Sequence, residues 1–323
     1  MHLYRTWCTA LHCAVLYCTQ HETTVAYDRW SPDGGITWKF IGADITDPKG
    51  AGGFCRFCSS QYYPPNAFGN DHGFRDAIYI TGEECWDNGG RLFALDVNSN
   101  YNTRDLYQVS GVTESMPVAP TSTFQQQEQQ AGHGGMPFDS WENAAQIDTG
   151  ESDHVALLLS ADGGSETLRL YVGKKNTNAN GNAETVDFLA RNGLGYGRWF
   201  YLSVDFEWYS YGEDDGFWES TTPGRFVTNP RDAWSESKFE DIDTNPQKPN
   251  QVVLAESNSG VYVLDFDLVF GGSGSSTSSS TDNHFRVAES SFSVIMITSN
   301  DGQNQNLRYP DNVDWTRNNL IFV

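Results

Sequence analysis

Apolar runs of strand length recur along most of this chain and restrict its fold more than any other feature. They are "DAIYIT" (76–81), "RLFALDV" (91–97), "HVALLLS" (154–160), "TLRLYVG" (167–173), "RWFYLSVDF" (198–206), "QVVLAES" (251–257), "GVYVLDFDL" (260–268), "SVIMITS" (293–299) and "NLIFV" (319–323). Clusters of Gly, Asn, Asp or Ser separate several of them from the next, and no stretch keeps a helical period beyond about two turns. The chain is therefore read as all-β. Its 31 Gly, 10 Trp, 15 Tyr and 19 Phe residues suit short strands joined by tight turns. A length of 323 residues is enough for a sizeable core.

The runs repeat in similar pairs. "ITGEECWDNGGRLFALDV" (80–97) and "VLAESNSGVYVLDFD" (253–267) share one plan: apolar strand, Glu, polar turn, Gly, then a strand ending in Leu-Asp. "ALLLSADGGSETLRLYVG" (156–173) is a looser copy without the Glu. A second pattern comes before the strands: "WENAAQID" (141–148), "FEDID" (239–243) and "PDNVDW" (310–315) each lead through a loop into an apolar run. Repeated strand pairs without helices predict a β-propeller of about five or six blades, with a β-sandwich as the alternative.

"SPDGGITW" (31–38) matches an Asp-box turn, a structural feature common in propellers, and "SADGG" (160–164) and "SNDGQ" (299–303) echo it. Residues 23–323 are read as one propeller domain with surface-loop insertions near 123–135, 174–184 and 271–281. Residues 1–22 are set apart as a signal-like or mis-assigned amino-terminal segment. "TALHCAVLY" (9–17) follows Arg5 but is short and is interrupted by His12.

Lys and Arg total 20 against 42 Asp and Glu, a formal net charge of −22. A field of that sign repels nucleic acid and anionic membranes and attracts divalent cations. No apolar run reaches the roughly 18 residues of a membrane span. Cys55 and Cys58 form a lone CxxC, a weak zinc signal beside the readings of a disulfide or unbridged thiols. Cys8, Cys13, Cys18 and Cys85 add no metal-ligand spacing. A monomer acting on a small molecule is expected.

The acids of the repeat supply the candidate site. Glu83 and Glu84 close one strand, Glu256 closes another, and Glu142, Glu240 and Asp311 stand just ahead of strands taken as the inner ones. If these strands line an axis, their carboxylates meet there and repel unless a hard cation joins them. Ca²⁺ accepts six to eight oxygen ligands, and Asn143, Asp241 and Asn312 would extend the shell. Only one of Glu83 and Glu84 need face the axis, because neighbours in a strand point to opposite sides, and the other would brace it or bind a second ion.

"AIYITGEE", "WENAAQID", "FEDIDTNP", "SGVYVLDF" and "PDNVDW" together resemble the PhoX family of alkaline phosphatases and its relatives, from about residue 68 to the end. The resemblance implies a secreted or periplasmic propeller that hydrolyses phosphate monoesters at a mouth cluster of calcium and iron. The family's Cys-Glu-Glu, His-Glu-Asn and Arg-Pro-Glu motifs fall on Gly82-Glu83-Glu84, Trp141-Glu142-Asn143 and Lys238-Phe239-Glu240. Gly82 thus stands where the family has the cysteine that bridges the irons, and Lys238 where it has an arginine. Lysine offers a point charge in place of a two-pronged grip. The chain also stops within "NLIFV", where the family continues through further sheet, so either a closing segment lies outside it or the ring closes differently.

The leading expectation is hydrolysis of a phosphate ester. Glu83, Glu84, Glu142, Asn143, Glu240, Asp241, Glu256, Asp311 and Asn312 would hold metal, with Lys238 and Glu240 catalytic. His72, His133 and His154 are the candidate proton donors. The alternatives are a calcium-dependent lactonase or esterase, and a non-catalytic binding propeller held together by calcium. No nucleotide loop, Gly-x-Ser-x-Gly elbow or HExxH occurs.

Overall fold

Near-continuous apolar runs make several of the strands, and β-strands such as Ile78–Glu83, His154–Ala161 and Arg169–Lys174 are buried on both faces along nearly their whole length. A computed structural model describes residues 57–84, 90–97, 106–109, 139–162, 167–178, 182–204, 221–235, 238–271, 285–299 and 309–323, together with the backbone of 14–16, 26–29 and 38–40. Three short backbone strands, β1 (Ala14–Leu16), β2 (Ala26–Arg29) and β3 (Trp38–Phe40), form a small antiparallel sheet nearer the amino terminus. The Asp-box at 31–38 (apart from the backbone of Trp38), the 123–135 insertion, His133, and the side chains of all six cysteines lie outside the described residues.

A four-stranded antiparallel sheet follows: β4 (Phe57–Tyr63), β5 (Ile78–Glu83), β6 (Leu92–Asp96) and β7 (Leu106–Gln108). The next meander is β8 (Trp141–Ile147), β9 (His154–Ala161), β10 (Arg169–Lys174) and β11 (Gly197–Val204). One helical turn, α1 (Phe188–Arg191), sits before β11. A further meander is β13 (Phe239–Thr244), β14 (Gln251–Glu256), β15 (Gly260–Asp267) and β16 (Ser291–Ser299). Between the two, β12 (Thr222–Val227) pairs with both β11 and β16 and joins them into one nine-stranded antiparallel sheet. A short hairpin, β17 (Asp314–Trp315) and β18 (Ile321–Phe322), ends the chain.

The nine-stranded sheet curls until its edge strands β8 and β13 lie side by side, almost closing a barrel. Side chains bridge the gap: Asn143 Nδ2 donates to Ile242 O at 3.1 Å and Thr244 Oγ1 donates to Gln146 O at 2.7 Å. Inside the curl, alternate residues form one core, including Ala145, Ile147, Ala156, Leu158, Leu170, Val172, Leu254 and Leu264. The opposite parity of β9, namely Val155, Leu157, Leu159 and Ala161, packs outward on Ile78, Ile80, Leu92 and Ala94 of the four-stranded sheet. On the far side Val253, Ala255 and Val261 pack on Val313 and Trp315 of the last hairpin. This doubly apolar pattern is expected of strands that are covered on both faces.

Two expectations are corrected here. The leaders "WENAAQID" and "FEDID" are not loops ahead of inner strands: they are the strands β8 and β13, and "PDNVDW" ends in β17. Their acids and amides hide the strand signal, because they bond across to neighbouring strands in place of following a simple alternation. The insertion at 174–184 is in its described part a tight bridge, Thr177 to Ala183, with Lys175 and Thr177 buried. Its polar composition serves turn geometry and an amine-to-carbonyl bond from Lys175 Nζ to Asp71 O at 2.7 Å.

Asn192 locks the 64–77 connection to the second meander. It is fully buried, and its Oδ1 accepts from Arg75 N at 2.9 Å and Asp76 N at 3.0 Å. Its Nδ2 donates to Asp76 Oδ2 at 2.6 Å and Phe188 O at 2.9 Å. Asn192→Ala removes all four bonds, with Asp76 Oδ2 keeping its bond from Arg191 Nε, and should cost about 2–4 kcal/mol. A urea titration of the variant against the parent protein checks this.

Candidate metal centre

The three strands β4, β8 and β13 each carry a register shift near the start, at Phe57/Ser60, Trp141/Asn143 and Phe239/Ile242. Bulges of this kind re-aim a side chain out of the ladder. The second puts Glu142 at the rim and the third does so for Glu240 and Asp241. Their partner strands run antiparallel, so the ends of β5, β9 and β14 arrive at the same rim. The residues just past those ends are Glu84, Asp162 and Ser257.

Glu84, Glu142 and Asp162 each bring an oxygen to one point, all within 4.8 Å of one another. Glu84 and Asp162 are buried and Glu142 is half-buried. Burial, then the charges of Glu240, Asp241, Asp162 and Asp311, pushes the Glu142 carboxyl well above its usual range. Beside this group, Lys238 Nζ lies 3.3 Å from Asp162 Oδ2 and 3.1 Å from Glu240 Oε1. Burial opposes the lysine's charge, but Glu240 and Asp162 outweigh it and hold the amine above the ordinary lysine value. Glu240 is raised by burial, partly offset by hydrogen bonds from Ser257 Oγ and Lys238.

Other acids expected at the site are placed differently. Glu83 faces away and is gripped by Arg91, with Nε at 2.7 Å, Nη2 at 2.8 Å and the backbone N at 3.0 Å. Glu256 braces the turn after β14, accepting from Lys238 N and Asn258 N at 3.2 Å and from Ser259. Asn143 and Asp241 bond to each other and tie β8, β13 and β17 together, Asp241 also accepting from Val313 N at 3.1 Å. Asp311 and Asn312 are exposed at the approach to β17, and Asp311 O accepts from Asp241 N at 3.2 Å. Asp243, one step further along β13, accepts from Trp315 N at 2.7 Å. Burial pushes Asp241 up to about 6 and Asp243 up to about 7.

The two candidate histidines among the described residues, His72 and His154, lie at the wrong end. His72 pairs with Asp148 at 3.0 Å, just past the far end of β8 from Glu142. His154 opens β9, whose other end leads to Asp162, and it pairs with Asp153 at 2.7 Å. A strand of seven or eight residues spans roughly 20 Å, too far for proton transfer at the acid cluster.

Asp162 was missed because "SADGG" reads as an Asp-box echo. The signal that finds it is positional: it follows β9 as Glu84 follows β5 and Ser257 follows β14. The three convergent carboxylates are an oxygen-only donor set, which suits calcium. A Cβ built on Gly82 would lie 2.6 Å from Trp141 Cβ and 3.1 Å from Trp141 O, so this point admits no side-chain donor, and among the described residues, which do not include Cys85, none of the cluster's groups is a thiolate, the soft ligand that suits iron.

In comparisons with known proteins, no family model and no curated protein matches the chain. Among the described residues no helix is long and apolar enough to cross a membrane.

Proposed function

We propose that the chain is a β-propeller of the PhoX type whose mouth binds calcium and hydrolyses phosphate monoesters. The observation that carries this reading is the meeting of Glu84, Glu142 and Asp162 from two separate sheets. Support for the propeller comes from the adjacency of β4, β8, β13 and β17. Gln61 Nε2 reaches Ile242 O at 2.6 Å, Tyr63 OH reaches Ala144 O at 3.1 Å, Asp241 accepts from Val313 N just before β17, and Asp243 accepts from Trp315 N within it. The four-stranded sheet and the last hairpin each pack face to face on the nine-stranded sheet through an apolar layer, the kind of contact that radiating blades make.

Glu84, Glu142 and Asp162 would hold the cation, which when bound polarises a phosphoryl oxygen and acidifies a coordinated water. Lys238 draws the phosphate and offsets the charge that develops on it. Glu240, raised by burial and in contact with Lys238, exchanges the proton. A secreted or periplasmic monomer fits this reading, since calcium is plentiful outside the cytoplasm. One observation favours the second reading, a non-catalytic calcium-bound propeller: Lys238 is already engaged by Asp162 and Glu240.

The test is calcium binding and p-nitrophenyl phosphate turnover for the parent protein, Glu84→Gln and Asp162→Asn, with and without chelator. Calcium-dependent turnover that falls at least about 100-fold in each variant is expected. Tight calcium without turnover selects the second reading, and absence of calcium binding overturns both.

A further inference from the structure

Asp162 serves two cation positions at once. One is the point it shares with Glu84 and Glu142; the other is occupied by the Lys238 ammonium, which Glu240 also contacts. Four carboxylates against one ammonium leave this mouth three charges negative when all are ionised, a field that turns a phosphate dianion away.

A separate observation points to a ligand here. Asp162 N donates to Ser140 O at 3.0 Å, and the β8–β9 register pairs Trp141 with Ala161, so Ser140 and Asp162 stand opposite each other. Directly opposed residues of an antiparallel pair leave the ladder on one face. The Ser140 hydroxyl is therefore set on the face that carries the Asp162 carboxylate, and it is fully buried with no hydrogen-bond partner. A buried hydroxyl in that condition calls for a bound group or a metal-held water.

We infer that Asp162 makes phosphate binding at Lys238 conditional on the cation. Without the ion, Asp162 and Glu240 together neutralise the lysine. With a divalent ion on Glu84 and Glu142, Asp162 is drawn to the ion, the net charge of the mouth falls to one negative, and the half-exposed ammonium turns toward phosphate. Lys238 is thus the anion-selecting residue, and Asp162 is a positioning residue that couples it to the metal. This rests on the calcium reading above.

The experiment is calorimetric titration of inorganic phosphate, at undersaturated calcium and phosphate, into the full chain with and without calcium. The parent protein should bind phosphate at least about 10-fold more tightly with calcium present, within the usual range of coupling between sites. Asp162→Asn, which takes one negative charge from the mouth and one partner from the lysine, should bind phosphate without calcium at least about 3-fold more tightly than the calcium-free parent. Asp162→Ala gives the same readout if the amide keeps its bond to the lysine. Lys238→Gln should lose the calcium-induced gain. The inference is overturned if both Asp162 variants match the calcium-free parent, or if Lys238→Gln keeps the full gain. Calcium titrated alone separates the two levels: a parent protein that gives no calcium isotherm overturns the metal reading itself.

Discussion

Asp139→Asn is expected to lower the stability of this protein by about 3–5 kcal/mol, the usual cost of leaving a buried charge without its counter-ion. Asp139 and Arg169 are both fully buried, with Arg169 Nη2 at 2.6 Å from Asp139 Oδ2. The guanidinium also lies 5.1–5.4 Å from the ring centres of Trp141, Trp199 and Tyr201. Asparagine keeps the shape but removes the charge, so the buried arginine loses its carboxylate counter-ion while it keeps the aromatic faces around it. The midpoint of urea denaturation measures the loss. Adding Arg169→Met should recover much of it, because a pair of buried charges replaced together costs far less than one removed alone. The pair also matters to the site. Asp139 accepts from Ser140 N at 2.8 Å and fixes the chain three residues before Glu142. Calcium affinity should therefore fall along with stability.

The second large effect concerns pH and calcium together. Glu142, Asp241 and Asp243 are all held above their ordinary values, the latter two at about 6 and about 7. The folded chain therefore binds more protons than the unfolded one between the unfolded carboxylate values and these raised ones. With that sign, stability is fully present below the unfolded values and is lost as pH rises through the folded ones. The calcium-free protein should accordingly melt at a higher temperature at pH 5 than at pH 8, by a few kcal/mol in equivalent stability. Saturating calcium should offset part of this at pH 8, because it binds ionised Glu142 together with Glu84 and Asp162 and stabilises by mass action, about 2.7 kcal/mol at 100 times its dissociation constant. Glu142→Gln should raise the calcium-free melting temperature at pH 8 and abolish most of the calcium-induced shift. A stabilising substitution that removes a ligand effect is hard to obtain from an acid that merely decorates the surface. Melting curves of both proteins at the two pH values, with calcium or chelator, decide it.

Much of the strand framework was legible from apolar runs alone. "HVALLLS" is found at β9 with one residue added, "GVYVLDFDL" at β15 with one removed, and "QVVLAES" likewise at β14. β9 is buried on both faces and β14 nearly so, while β15 keeps one buried face beside a partly exposed one, so each carries a dense apolar signal. The strands β4, β8 and β13 were not legible as strands, because they are bulged and studded with polar residues whose bonds run sideways to other strands. β12, with its Pro and Gly, also escaped notice, though it joins the two meanders.

The amino-acid sequence by itself determined the strand class, the acidic field and which acids recur at strand ends. Local alternation, composition and order are enough for those, since each depends on near neighbours in the chain. Only the tertiary structure decided which acids meet. Glu83 and Glu84 are adjacent in sequence, yet one is gripped by Arg91 while the other joins Glu142 and Asp162. Strand pleat, bulge position and the pairing of β5, β8 and β9 set that division. These are long-range geometric facts, and adjacent letters of a sequence do not carry them.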